Sequence, residues 1–200
     1  MKDKYNINDK IESVIKDNDL IFTKDIVAEG ITKPSFYEYT KNNNYIQVSR
    51  GVYSKDDVIV DRQLIIQNRC PNAIFSHDEA LYYYGLIDRE PIRNTITIYT
   101  GYRTKNLVND NVKVYTVKKE LLNIGKITVT NNFGNNINIY NLERTICDLF
   151  RSRNNFEPQD FSTAIKRYIN RKDKDLNKLM KYAKSFKVDK IMKKYLEILL

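Results

Sequence analysis

Tyr45-Ile46-Gln47-Val48-Ser49-Arg50-Gly51-Val52-Tyr53-Ser54 decides how the front of this 200-residue chain is read. Polar and apolar residues alternate on both sides of an Arg-Gly pair, the pattern of two short strands joined by a tight turn. Val48, Val52 and Ile46 are expected to face a core. Arg50 and Gly51 are expected to form the tip, where an arginine can reach a phosphate or a minor groove.

Three helical patterns precede this hairpin. Asn8 is expected to cap a helix over 9–18, with Ile11, Val14 and Ile15 on one stripe. Leu20-Ile21-Phe22 reads as a short apolar connector. Thr23 is the expected cap of a second helix over 24–29, with Asp25 in its first turn and Gly30 closing it as a left-handed residue. Thr32 is the expected cap of a third, with Pro34 in the first turn, where a missing N–H costs little, and Asn42-Asn43-Asn44 at its end. Three helices followed by a hairpin is the order of a winged helix-turn-helix, whose third helix enters a major groove. Phe36 and Tyr39 are spaced for burial. Lys33, Ser35, Tyr37 and Lys41 should face outward and, with Arg50 and Lys55, form the candidate DNA-binding set. A small module that docks protein is the other reading of the same pattern.

Charge is unevenly spread. The first 57 residues carry 9 Lys/Arg against 10 Asp/Glu, residues 58–150 carry 11 against 9, and residues 151–200 carry 14 against 6, for a net +9. The basic excess therefore lies in the last quarter and not in the module that reads as a DNA binder. With 42% hydrophobic residues the chain can bury a core, and no run approaches the ~18 apolar residues of a membrane span. No apolar run follows Met1, so no signal peptide is read and a cytoplasmic location is expected. Cys70 and Cys147 sit singly among apolar residues, which reads as two buried thiols in preference to a disulfide or a metal site. No metal and no cofactor are expected.

Downstream, a helix over 61–69 with Leu64 and Ile65 inward is broken by Pro71-Asn72, and 73–75 reads as a buried strand. Ser76 and Glu79 match a capping box for a helix running to Gly85. This assigns Ser76 a structural task and leaves His77, the sole histidine, as a structural residue at the helix start. Residues 95–99, 112–117, 127–129 and 137–140 carry β-branched alternation and predict a sheet of four or five strands. Asn141 is the expected cap of a helix over 142–153, with Leu142, Ile146, Leu149 and Phe150 on one face and an Arg144–Asp148 pair fixing it against the sheet. Pro158 opens a helical tail with apolar stripes at Phe161, Ala164, Ile165 and Tyr168, then Leu176, Leu179, Met180 and Ala183, then Val188, Ile191, Met192, Tyr195, Leu196 and Leu199. Lysines crowd the opposite faces. Lys166, Arg167, Arg171 and Lys172 are candidate secondary phosphate contacts, and a solvated bundle exterior is the competing reading. The expected fold class is α+β: a winged helix-turn-helix over 1–57 and a C-terminal domain over 58–200, with its sheet in 73–140 and a basic helical region in 141–200.

Three stretches together resemble one family. Ile11, Leu20, Thr23, Gly30-Ile31, Tyr37 and Gly51-Val52-Tyr53 resemble the winged-helix domain of AbiEi-type antitoxins. Residues 73–86, with Ser76-His77, Ala80-Leu81 and Gly85-Leu86, resemble the family's "Ser-His … Ala-Leu … Gly-Leu" segment. Tyr140-Asn141-Leu142-Glu143-Arg144-Thr145-Ile146-Cys147-Asp148-Leu149 resembles its "Leu-Glu-Arg-Thr-Ile-Cys-Asp" segment. The resemblance implies an antitoxin of a type IV, abortive-infection (phage defence) toxin–antitoxin system. Its winged helix would repress the operon promoter at inverted repeats, as a monomer in solution that pairs on DNA. Its C-terminal domain would counteract a nucleotidyltransferase-like toxin without a stable complex. Two alternatives remain open: a metal-dependent nuclease using Asp148 or Glu79, and a protein-docking adaptor. No acid pair with a nearby lysine and no Gly-rich phosphate loop is evident, so no enzymatic activity is expected.

Overall fold

Ile11, Ile15, Ile21, Ile26, Ile31, Phe36 and Tyr39 converge into one apolar cluster, with Ile7, Val14, Tyr45 and Tyr53 packed against it. They belong to the first of two units into which the chain divides, Met1–Ile65 and Ile66–Leu200. The computed structural model describes residues 2–15, 19–103, 107 and 110–199, the side chains of 2–6 and 199 excepted. The boundary read from the sequence after residue 57 lies inside the first unit.

The first unit runs α1 (Lys2–Ile15), β1 (Ile21–Phe22), α2 (Thr23–Ala28), α3 (Lys33–Asn42), β2 (Tyr45–Ser49) and β3 (Val52–Lys55). α1 begins well before the expected cap, so Asn8 lies inside it. Ile7 sits four residues before Ile11 and packs on the same cluster, so the buried stripe reaches back past Asn8. Asn18, the expected end of this helix, falls outside the described residues. Thr23 is also corrected. It is the first residue of α2 and not its cap, and the cap position is Phe22. The Thr23 N–H donates to the Gly51 carbonyl at 2.8 Å, and its hydroxyl is buried without a partner among the described residues. The apolar connector is a strand: Ile21 and Phe22 pair antiparallel with Tyr53 and Val52, giving a three-stranded sheet in the order β1-β3-β2. Val52 packs with Leu20, Phe22 and Ile65, while Tyr53 joins the helical cluster through the other face. Val48 is half-buried beside Val52, but Ile46 is 44% exposed. Ile46 lies on β2, an edge strand, where period-2 alternation alone does not guarantee a covering layer.

The link between the units is α4 (Arg62–Arg69), whose first turn is capped by Asp61: its Oδ1 accepts from the Leu64 N–H at 2.9 Å. The second unit continues with β4 (Ile74–Phe75), α5 (Asp78–Tyr83), β5 (Thr95–Tyr99), β6 (Lys113–Val117), α6 (Lys119–Leu122), β7 (Lys126–Thr130), β8 (Asn136–Tyr140) and α7 (Leu142–Arg151). A 3-10 turn at Arg153–Asn155 precedes α8 (Pro158–Asn170), α9 (Leu176–Ser185) and α10 (Asp189–Leu199). Its five strands lie in the order β6-β5-β4-β8-β7, parallel in the pairs β5/β6 and β4/β8 and antiparallel elsewhere. Ile96, Ile98, Ile137, Ile139 and Phe75 form one cluster. A second gathers Ile146, Leu149, Phe150, Phe161, Ile165, Tyr168, Leu179 and Met192 from α7 to α10. The chain is thus mixed α+β. No described helix is long and apolar enough to cross a membrane.

α7 buries every residue from Leu142 to Phe150, charged ones included. Arg144 lies between the Tyr140 and Phe186 rings, its guanidinium carbon 3.8 and 3.9 Å from their centroids. Its Nε donates to Asp148 at 3.1 Å and its Nη1 to the carbonyls of Leu121 and Ile124 at 3.1 and 2.6 Å. Gly125 makes room for it: a Cβ there would lie 2.5 Å from the Arg144 Cβ, and its φ is +80°. The expected i,i+4 pair is present and both partners are fully buried.

Candidate nucleic-acid interface

α3 forms because its ends are locally satisfied. The Thr32 hydroxyl accepts from the Ser35 N–H at 3.4 Å, Pro34 occupies the first turn, and Asn43 and Asn44 end the helix, Asn44 with φ of 57°. Phe36, Tyr39 and Thr40 are buried, which turns Lys33, Tyr37 and Lys41 outward along one stripe at four-residue spacing. Lys33 and Lys41 are exposed and make no hydrogen bond or ion pair among the described residues. Ser35 is half-buried, and its hydroxyl is engaged with Thr32 at 2.9 Å, so it serves the cap more than the exposed face.

The hairpin contributes its tip and one strand end. Arg50 is exposed in the turn, and Gly51 has φ of +73°. A side chain at Gly51 would be strained by that φ and would meet Thr23 at 3.7 Å. Lys55 is exposed at the end of β3, its ammonium 5.9 Å from the Tyr45 ring centroid. Five of the six expected contact residues thus reach the surface of this unit, and Ser35 is the exception. Sequence reading missed Tyr53. Its ring meets Phe36 edge-on at 5.3 Å and lies 6.1 Å from Tyr37, bracing the exposed tyrosine. Its opposite parity from Val52 was the available signal.

In the second unit the secondary set divides. Lys166 and Lys172 are exposed, without partners among the described residues. Arg167 grips Asp88 with two nitrogens at 2.8 and 2.7 Å and also reaches the Gly85 carbonyl. Arg171 grips Asp173 twice at 2.8 Å and the Tyr84 carbonyl at 2.8 Å. Two of the four cations are therefore committed to the fold. The hydrogen bonds hold the Asp88 and Asp173 carboxyls below their usual range.

The capping box at Ser76 is corrected. α5 starts after His77, and no Ser76 cap exists. Thr95 takes that place from the neighbouring strand: its hydroxyl accepts from the Glu79 N–H at 3.0 Å and donates to the Ser76 carbonyl. The Glu79 carboxylate instead holds Asn94. Ser76 is freed to bond Thr97 at 2.8 Å and His77 Nδ1 at 3.0 Å. His77 has φ of 52°, is 1% exposed and stacks on Tyr115 at 3.4 Å and 6°. Its Nε2 meets the Ser152 hydroxyl at 3.1 Å, a partner 75 residues away that no local pattern announces. Burial pushes its pKa down to about 4 against the pull of Asp148 and Asp78, so the ring is neutral. With hydroxyls on both nitrogens and almost no exposure, it ties the start of α5 to the end of α7. Burial likewise pushes the Cys147 thiol up, and both cysteines are buried and free. Asp148 is held by Arg144 and by Arg151 at 3.0 Å, apart from the Glu79–Asn94 contact. Among the described residues no three His, Cys, Asp or Glu side chains are grouped to hold a metal ion.

No protein-family model and no curated protein sequence matches the chain. Among solved structures, the crystal structure of the RV2827C protein from Mycobacterium tuberculosis is similar, with a TM-score of 0.64 over 90% of this chain and 71% of that one. The two are 11% identical, so the likeness is one of fold.

Proposed function

We propose that the protein is a sequence-specific duplex-DNA binder that represses its own promoter and serves as the antitoxin of a type IV, abortive-infection system. The observation that carries this reading is the exposed Lys33–Tyr37–Lys41 stripe on a capped third helix, followed directly by a hairpin that presents Arg50. We read this order as a winged helix-turn-helix over 1–57, with α3 in a major groove and the hairpin as its wing. One copy offers few basic contacts, Lys33, Lys41, Arg50 and Lys55, so a single copy gains only a modest share of affinity from counterion release. Two copies on an inverted repeat, each a monomer in solution, would supply the missing affinity, with Lys166 and Lys172 as secondary phosphate contacts. The antitoxin half rests on the AbiEi-like stretches at 73–86 and 140–149. It implies a cytoplasmic protein that neutralises a nucleotidyltransferase-like toxin without a stable complex.

Fluorescence anisotropy on the duplex upstream of its own gene tests the first half. Lys33→Ala and Arg50→Ala should each weaken binding and flatten the slope of log K against log salt by about 1. Wild-type affinity in both variants overturns the interface. Co-expression with a nucleotidyltransferase-like reading frame immediately downstream tests the second half: growth should be restored, and continued arrest removes the antitoxin role.

A further inference from the structure

The exposed stripe of α3 is not uniform. Lys33 and Lys41 carry flexible stems that can follow phosphates, whereas Tyr37 between them has only two side-chain torsions and lies beside two neighbouring rings. Its ring lies 6.0 Å from Phe36, which is fully buried, and 6.1 Å from Tyr53, and those two rings brace each other edge-on at 86°. Tyr37 nonetheless remains 43% exposed. A rigid aromatic body set between two cations adds no charge. Placed at a duplex, it offers apolar surface in one orientation and loses little rotamer freedom on contact. In a major groove the one apolar group on the base edges is the C5 methyl of thymine, while guanine, adenine and cytosine present hydrogen-bonding groups that suit charged or amide side chains.

We propose, resting on the reading of α3 as the groove-entering helix, that Tyr37 reads a thymine methyl at the base pair beneath the middle of that helix. Lys33 and Lys41 position the helix on flanking phosphates and are blind to that methyl. The braced ring then gives each half-site one thymine that matters through a single carbon.

Replacing thymines one at a time by deoxyuridine in the promoter duplex removes that carbon and nothing else. With the full-length protein, one thymine per half-site should weaken binding about fourfold on this exchange, the size of one buried methyl-sized group. Tyr37→Ala should bind the two duplexes equally. Tyr37→Phe, which keeps the ring and its contacts, should retain the ratio, as should Lys33→Ala at lower overall affinity. A wild-type protein indifferent to every such exchange overturns the inference, and so does a ratio that survives in Tyr37→Ala. Those outcomes leave the interface itself intact. A protein that binds no promoter duplex sinks both.

Discussion

α3 and α7 are both ten residues long, and each is capped by a side chain that accepts an N–H three residues on, Thr32 from Ser35 and Asn141 from Arg144. Their charges meet opposite fates. α3 buries three residues and leaves Lys33 and Lys41 in water. α7 buries nine, including Glu143, Arg144 and Asp148. Glu143 is met by the Asp175 N–H and by Lys178, and Asp148 by two arginines. A solvated cation on the exposed stripe of a helix packed on one side remains free to meet a ligand. A buried ion held by opposite charges and carbonyls, as Arg144 is by Asp148, Leu121 and Ile124, holds the fold and is closed to a ligand from solvent, even though one Arg144 nitrogen, Nη2, has no partner among the described residues. Net charge per region therefore misleads. The C-terminal quarter is strongly basic, yet Arg167 and Arg171 are paired with Asp88 and Asp173, while in the near-neutral N-terminal unit Lys33 and Lys41 make no hydrogen bond or ion pair among the described residues.

The largest expected break of this comparison is Arg144→Ala. It leaves Asp148 buried with Arg151 as its remaining ionic partner and empties the space between Tyr140 and Phe186, so stability should fall by about 3–5 kcal/mol. Lys41→Ala should stay within about 0.5 kcal/mol. Denaturant titrations in which the two lose equal stability would end the contrast. A smaller effect is expected from pH. His77 has a folded pKa of about 4 against 6.5 unfolded, so below pH 6.5 the unfolded chain takes up a proton that the folded one refuses. The stability present above pH 6.5 should decline as pH falls toward 4, by at most about 3 kcal/mol at 1.36 kcal/mol per tenfold change in proton affinity. His77→Gln should flatten that part of the pH–melting curve; an unchanged curve would remove His77 as its source. On the α3 side, Lys33→Ala with Lys41→Ala should weaken promoter binding about tenfold, or about 1.4 kcal/mol, across sequences alike. Unaltered affinity would mean that neither lysine meets DNA. The smallest effect is expected at Thr23, whose buried hydroxyl has no partner among the described residues. Thr23→Val should raise stability by up to about 1 kcal/mol, and a loss in thermal melting would show that the hydroxyl is satisfied in solution.

Much of the architecture was legible because it is local. Thr32, Pro34 and the Phe36/Tyr39 stripe announce α3 within ten residues. Phe161, Ala164, Ile165 and Tyr168 announce α8 and are all buried. Asn141 caps α7 as its spacing implies. Misreadings arose where a distant partner outbid a local one. Ser76 and Glu79 have capping-box spacing, but Thr95, brought in by β5, caps α5, and Asn94 takes the Glu79 carboxylate. Thr23 looks like a cap, yet the Gly51 carbonyl draws its N–H into the sheet that Ile21 and Phe22 complete.

Hydrophobic periodicity, turn chemistry and caps depend on neighbours within a turn or a strand, so the sequence by itself determined most of the longer helices and strands, though not β1 or α6, the helical stripes that enter the core, and the outward lysines of α3. Tertiary structure alone decided which polar residues remain free. Asp88 lies 79 residues from Arg167, and Ser152 lies 75 from His77. Such pairings exist only after the chain has closed those loops, and no short-range pattern encodes them.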